Sequence, residues 1–217
     1  MCNADCLRFG TKALAREHVA GQAVLEVGAL DVNGSLRGFI ESMDPASYTG
    51  VDISSGPGVD VVCDASRLLD KFDEGSIDLL VSTELMEHVK DWRKVISNFK
   101  RVLKPGGWLL MTTRSKGVPY HGYPFDFWRY EVGDVGHIFS DFEVHCVEKD
   151  RLAAGVFAFV RKPVEFEETD LADYALYSIV AKRRRVEVSS WDRRIFEVAY
   201  PIERFLRFLW RRLPLRR

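Results

Sequence analysis

Three acids and two histidines stand out by position. Glu26, Asp52 and Asp64 each fall at or near the end of a short apolar run. An acid at the end of a buried strand faces the crevice beyond the sheet edge. There its two oxygens can accept hydrogen bonds from vicinal hydroxyls such as those of a ribose. Gly28, Asn33 and Gly34 follow the first acid in a turn-rich loop, where small or left-handed residues let a ligand approach the backbone. His88 and His121 carry imidazoles, which exchange a proton near neutral pH and so suit the deprotonation of a hydroxyl. Cys2 and Cys6 lie one helical turn apart, but no Cys or His pair follows at zinc-ligand spacing. No metal site is expected from the spacing, and metal independence follows.

The elements that must hold these residues alternate. Apolar runs at 23–28, 47–53, 59–64, 77–83 and 108–113 read as strands, nearly continuous in the way parallel strands covered on both faces are. Between and before them, 4–20, 34–42 and 91–103 show helical spacing. Strand alternating with helix predicts a doubly wound α/β sheet. Two further strands, 142–148 and 156–160, are too close for a helical crossover and are expected to pair antiparallel. Beyond 162 the chain turns acidic, then helical around 170–181, then basic. The expected division is a domain over 1–162 and a helical, basic extension over 163–217.

With 217 residues, 47% hydrophobic and 29% charged, the chain is one ordinary domain with an appendage. The formal charge of −1 selects no partner, but its distribution is uneven. From Lys182 onward twelve basic residues face four acidic ones, which leaves +8 there and −9 elsewhere. Trp191, Ile195, Val198, Ile202, Phe205, Leu209 and Leu213 recur every three or four residues in this tail, with arginines on the remaining face. Such a helix suits an anionic membrane surface, a second copy of the chain or the domain itself, and Pro201 is expected to kink or divide it. The start lacks a signal-peptide pattern and no run is long enough to span a bilayer, so a reducing cytoplasm is the expected setting.

The order of motifs resembles the class I S-adenosylmethionine-dependent methyltransferases of the small-molecule type. The acids close the first strands, Glu87-His88-Val89 follows the fourth, and Arg101-Val102-Leu103-Lys104-Pro105-Gly106-Gly107 precedes the fifth. The resemblance covers about 23–160. It implies a Rossmann-like, seven-stranded, mostly parallel sheet with the last strand antiparallel, and S-adenosylmethionine as cofactor. It places Glu26 and Gly28, with Asn33 and Gly34, around the methionine part. It further places Asp52 on the ribose, Ile53 on the adenine face, Asp64 and Ala65 at the adenine edge, and Ser82 or Thr83 below the amine. One departure is plain: Leu30 and Val32 stand where the family shows its second and third glycines.

The segment 114–130 is too long and too aromatic for a connector. Tyr123, Asp126, Trp128, Arg129 and Tyr130 are expected to bind the acceptor there, with His121 or His88 as catalytic base. The reaction expected is methyl transfer to a small or medium-sized acceptor, such as a sugar, a glycolipid intermediate or a metabolite. An RNA methyltransferase is the alternative, disfavoured because the core lacks a basic face, so nucleic acid is not an expected partner. A non-catalytic cofactor-binding module is the other, distinguished by loss of turnover.

Overall fold

The computed structural model describes residues 4–122 and 125–212. Its strands are β1 (Ala23–Val27), β2 (Ser47–Asp52), β3 (Val61–Val62), β4 (Ile77–Thr83), β5 (Leu103–Arg114), β6 (Trp128–Arg129), β7 (Glu143–Lys149), β8 (Gly155–Arg161), β9 (Leu176–Ser178) and β10 (Arg183–Arg185). Seven form one sheet in the order β3-β2-β1-β4-β5-β8-β7. β8 runs antiparallel to both neighbours, and the pairings among β1 to β5 are parallel. This is the doubly wound, Rossmann-like sheet the sequence predicts.

Successive side chains of a strand point to opposite faces, so each buried strand must be apolar on both. Val24, Leu79, Val81 and Leu110 cover one face, against Cys6 and Phe9 of α1 (Ala4–Ala13), Val19 of α2 (Arg16–Val19) and Ile40 of α3 (Arg37–Glu41). Leu25, Leu80, Leu109 and Met111 cover the other, against Trp92, Val95, Ile96 and Phe99 of α4 (Trp92–Val102). α5 (Val132–Ile138) adds Val135 and Ile138 to that second layer.

The C-terminal region departs from expectation. Residues 170–181 are not helical: Leu176–Ser178 forms β9, which pairs antiparallel with β6 and β10 in a second, three-stranded sheet. Leu176 and Ser178 are fully buried there, so pairing with a partner distant in sequence overrides local helical spacing. Leu171, Leu176, Val180, Val188 and Phe196, all beyond the expected boundary at 162, also join the larger core. The last element, α6 (Ser190–Arg212), runs through Pro201 undivided. Stacked Phe196 and Tyr200, both packed on Tyr120, anchor the turns before the proline. Among the described residues, no helix is long and apolar enough to cross a membrane.

Candidate active site

The chain leaves β1 for β2 on one side and returns to β4 on the other, which opens a crevice at the carboxyl ends of β1 and β4. Gly28 turns the chain there with φ 87°, and its N–H donates to the Val51 carbonyl at 2.9 Å. A Cβ at this position would be strained by the backbone conformation and would lie a tight 3.1 Å from the Leu85 Cβ, so the turn favours glycine. Asp52 ends β2 beside this turn: its Oδ2 accepts from the Leu30 N–H at 3.3 Å and its Oδ1 from the Ser54 N–H at 3.1 Å. Ile53 follows it, 65% exposed. Asp64 uses Oδ1 to accept from the Ser66 N–H at 2.8 Å and opens a 3-10 turn, and the Ala65 carbonyl accepts from the Asn98 amide at 2.9 Å. On β4, Ser82 is fully buried and its Oγ has no hydrogen-bond partner, while Thr83 is nearly buried.

The loop differs from the sequence reading in two respects. The left-handed position falls on Gly34, with φ 109°, and not on Asn33. Asp31 explains why, since its Oδ1 accepts from the Gly34 N–H at 2.8 Å and closes the turn one residue later. The following helix then starts at Arg37 rather than 34, where the Ser35 hydroxyl accepts from the Arg37 N–H at 3.0 Å.

Glu26 does not open onto the crevice with Asp52. Its Oε2 accepts from the Tyr48 hydroxyl at 2.5 Å and from the Ser35 hydroxyl at 3.4 Å, and the residue is 2% exposed. Burial pushes its carboxyl up from 4.5 to about 7, against the lowering effect of Tyr48, Ser35 and Arg37. A raised acid binds more protons folded than unfolded. The contribution of Glu26 to stability is therefore greatest below 4.5, declines as pH rises toward about 7, and levels off above it. The decline attributable to Glu26 is roughly 3 kcal/mol. Urea unfolding across this range is expected to show the slope in the natural protein and a flatter profile in Glu26→Gln.

Past β4, Glu84 takes φ 55°, an uncommon conformation for a residue with a side chain. Ion pairing with Arg114 and a 3.0 Å hydrogen bond from Thr112 hold it there. The turn delivers Glu87 and His88 to the foot of the aromatic loop. Glu87 is fully buried; its Oε2 accepts from the Thr113 hydroxyl at 2.9 Å, and its Oε1 has no hydrogen-bond partner. The Nε2 atoms of His121 and His88 lie 3.8 and 3.9 Å from that oxygen. His121 was expected to be a neutral base near pH 7. Its hydrogen bond with Asp126, then its contact with Glu87, raise it from 6.5 to about 9, so the unliganded imidazole holds its proton. Sequence spacing shows no metal cluster, yet the ligand atoms of Glu87, His88 and His121 all lie within 4.8 Å of one another.

The aromatic loop is pinned from inside. Arg129, 1% exposed, donates to Asp126 at 2.5 and 2.7 Å and to the carbonyls of Val118, Pro119 and Trp128. Trp128 donates its indole N–H to the Lys90 carbonyl at 3.1 Å, and Tyr130 its hydroxyl to the Met86 carbonyl at 3.2 Å. These three side chains and Asp126, expected to face an acceptor, are buried and hydrogen-bonded to protein groups that shape the loop. Tyr123 lies outside the described residues. Sequence reading missed the other wall. A cavity of about 180 Å³ separates the loop from α6, with Tyr120, Phe125 and Phe127 on one side and Phe196 and Tyr200 on the other. The periodic stripe on α6 gives no sign of this wall, because Phe196 and Tyr200 lie outside it.

The family model described as a methyltransferase domain matches residues 5–145. The chain belongs to that family. Outside this methyltransferase-domain match, likeness is partial. A ubiquinone biosynthesis O-methyltransferase of Chromobacterium violaceum is 28% identical over 113 residues, 46% of this chain and 47% of that protein. A phthiotriol/phenolphthiotriol dimycocerosates methyltransferase of Mycobacterium ulcerans is 29% identical over 122 residues, 51% of this chain and 44% of that protein. The chain thus spans about half the length of the curated relatives it matches. The 1,6-didemethyltoxoflavin-N1-methyltransferase of Burkholderia thailandensis, solved with S-adenosylhomocysteine, superposes with a TM-score of 0.57 at 14% identity, covering 73% of this chain and 78% of that one. At that identity the likeness is one of fold.

Proposed function

We propose that this chain transfers a methyl group from S-adenosylmethionine to a hydroxyl of a small or medium-sized acceptor held under the 114–130 loop. The carrying observation is the switch point, where the Gly28 turn, the Asp52 carboxylate and the orphaned Ser82 hydroxyl stand at the ends of β1, β2 and β4. These residues fit the cofactor. Asp52 offers two acceptor oxygens to ribose hydroxyls, Ile53 an exposed apolar surface to adenine, and Asp64 with Ala65 a polar edge. Ser82 and Thr83, with Gly34, Asn33 and the Glu26 side of the loop, fall to the amino-acid end.

When bound, the sulfonium supplies a methyl group on a good leaving group. The protein then needs to align the acceptor oxygen, exclude water and accept its proton. Alignment supplies the larger share of the acceleration. A histidine acting on the proton adds roughly 10²–10⁴-fold. His88 carries that role, because His121 already holds its proton in the unliganded protein. The aromatic cavity suits the apolar body of the acceptor, and the relatives named as a ubiquinone biosynthesis O-methyltransferase and a phthiotriol/phenolphthiotriol dimycocerosates methyltransferase support a small or medium-sized acceptor such as a sugar, glycolipid intermediate or other metabolite.

The α6 stripe supports a further contact. Trp191, Ile195, Val198, Ile202 and Phe205 are between 56% and 69% exposed, while Phe196 packs inward. An anionic membrane surface or a second copy of the chain suits that face; Leu213, the last residue of the stripe, lies outside the described residues. Calorimetry tests the central reading. S-adenosylhomocysteine is expected to bind one per chain and NAD not at all; absence of heat with the former would remove the proposal.

A further inference from the structure

We infer that Glu87, His88 and His121 form a binding site for a divalent transition-metal ion. Each imidazole is already oriented as a ligand. The His88 Nδ1 lies 2.6 Å from the Phe125 carbonyl oxygen, which can only accept, so that nitrogen carries the hydrogen. The His121 Nδ1 lies 3.1 Å from the Pro119 carbonyl and 3.0 Å from Asp126 Oδ2, again two acceptors. In both rings Nε2 is therefore the nitrogen left to coordinate, His121 releasing its second proton when the ion binds, and both Nε2 atoms converge on the same oxygen of Glu87.

That oxygen is the second, independent sign. Glu87 is fully buried and half satisfied: Thr113 serves Oε2, and Oε1 has no hydrogen-bond partner although a buried carboxylate oxygen is costly to leave unpaired. A cation between Oε1 and the two rings would complete it. The separations of 3.8 and 3.9 Å exceed by about half an ångström the ~3.4 Å that two ligands at about 2.1 Å subtend in a tetrahedral site, a gap that small side-chain rotations close.

The outer contacts complete the pattern. Metal-bound histidines ordinarily donate their second N–H to a carboxylate or carbonyl, which fixes the ring. Asp126 does this for His121 and is itself gripped by Arg129, and the Phe125 carbonyl does it for His88. His88 and His121 keep 18% and 28% of their side chains exposed, so the remaining coordination positions open outward from the buried carboxylate. Two imidazoles and one carboxylate suit zinc, iron, cobalt or manganese better than magnesium, which prefers all-oxygen sites. Its use in catalysis, holding an acceptor oxygen and lowering its pKa, rests on the methyl-transfer reading; the site itself does not.

The test is titration of untagged, chelator-treated full chain with Co²⁺, followed by its visible absorption, with competition by Zn²⁺ and Mg²⁺. One ion per chain is expected, displaced by Zn²⁺ and not by Mg²⁺. His88→Ala and His121→Ala are each expected to weaken binding at least tenfold to a hundredfold. His145→Ala, on exposed β7, is expected to leave it unchanged. Parallel calorimetry with S-adenosylhomocysteine reports folding of each variant and tests the cofactor site separately. A stoichiometry near zero in the natural chain, or Co²⁺ binding that survives the double replacement of His88 and His121, would overturn the inference whatever the cofactor does.

Discussion

Asp52→Ala is expected to weaken S-adenosylhomocysteine binding by about a hundredfold. Two hydrogen bonds from ribose hydroxyls to an ionised carboxylate are together worth about 3 kcal/mol, a little over two decades in Kd. The fold should tolerate the change. Among the described residues the Asp52 carboxylate accepts only two peripheral backbone N–H groups, at 3.3 and 3.1 Å, and both lie in loops that water can reach. Asp52→Asn keeps one good acceptor and is expected to lose about tenfold. Calorimetry at fixed pH, with circular dichroism to confirm folding, measures both. Binding by Asp52→Ala within threefold of the natural protein would mean that the nucleoside lies elsewhere.

Arg129→Ala is expected to act on stability rather than on acceptor affinity. Its guanidinium is 1% exposed and makes a bidentate pair with the fully buried Asp126, so truncation removes the main counterion of that buried charge and leaves only His121 beside it. Breaking a buried pair from one side costs about 3–5 kcal/mol. For a domain of this size that lowers Tm by about 10 °C. Arg129→Lys should restore little, because a single ammonium cannot serve Asp126 bidentately and also reach the Val118 and Pro119 carbonyls. Thermal unfolding decides the matter: an unchanged Tm with a raised KM would return Arg129 to the acceptor-facing role its position in the sequence suggests.

The α/β architecture was legible because its signals are local. Apolar runs such as 77–83 can be read one residue at a time, and the seven residues between the last two predicted strands exclude a helical crossover without any knowledge of packing. The Lys104-Pro105-Gly106-Gly107 stop is similarly local, and Gly106 takes φ 78° at the start of β5. The strand β9 was not legible, since its three residues gain their conformation from Trp128 and Arg129, some fifty positions earlier. The same limit explains Arg129 itself. A sequence shows an arginine in an aromatic loop, while the carboxylate and carbonyls that consume its donors are fixed by the return of the chain.

By itself the sequence determined the alternation of elements, the family and the strand ends at which Gly28, Asp52 and Ser82 stand, because periodicity and motif order are properties of near neighbours. Tertiary structure alone decided that Glu26 turns to Tyr48, that α6 walls the loop, and that His121 meets Glu87 and His88 across more than thirty residues. Those outcomes depend on which groups remain unpaired when two faces of a sheet are covered. Burial and hydrogen-bond satisfaction are settled only when distant segments compete for the same space.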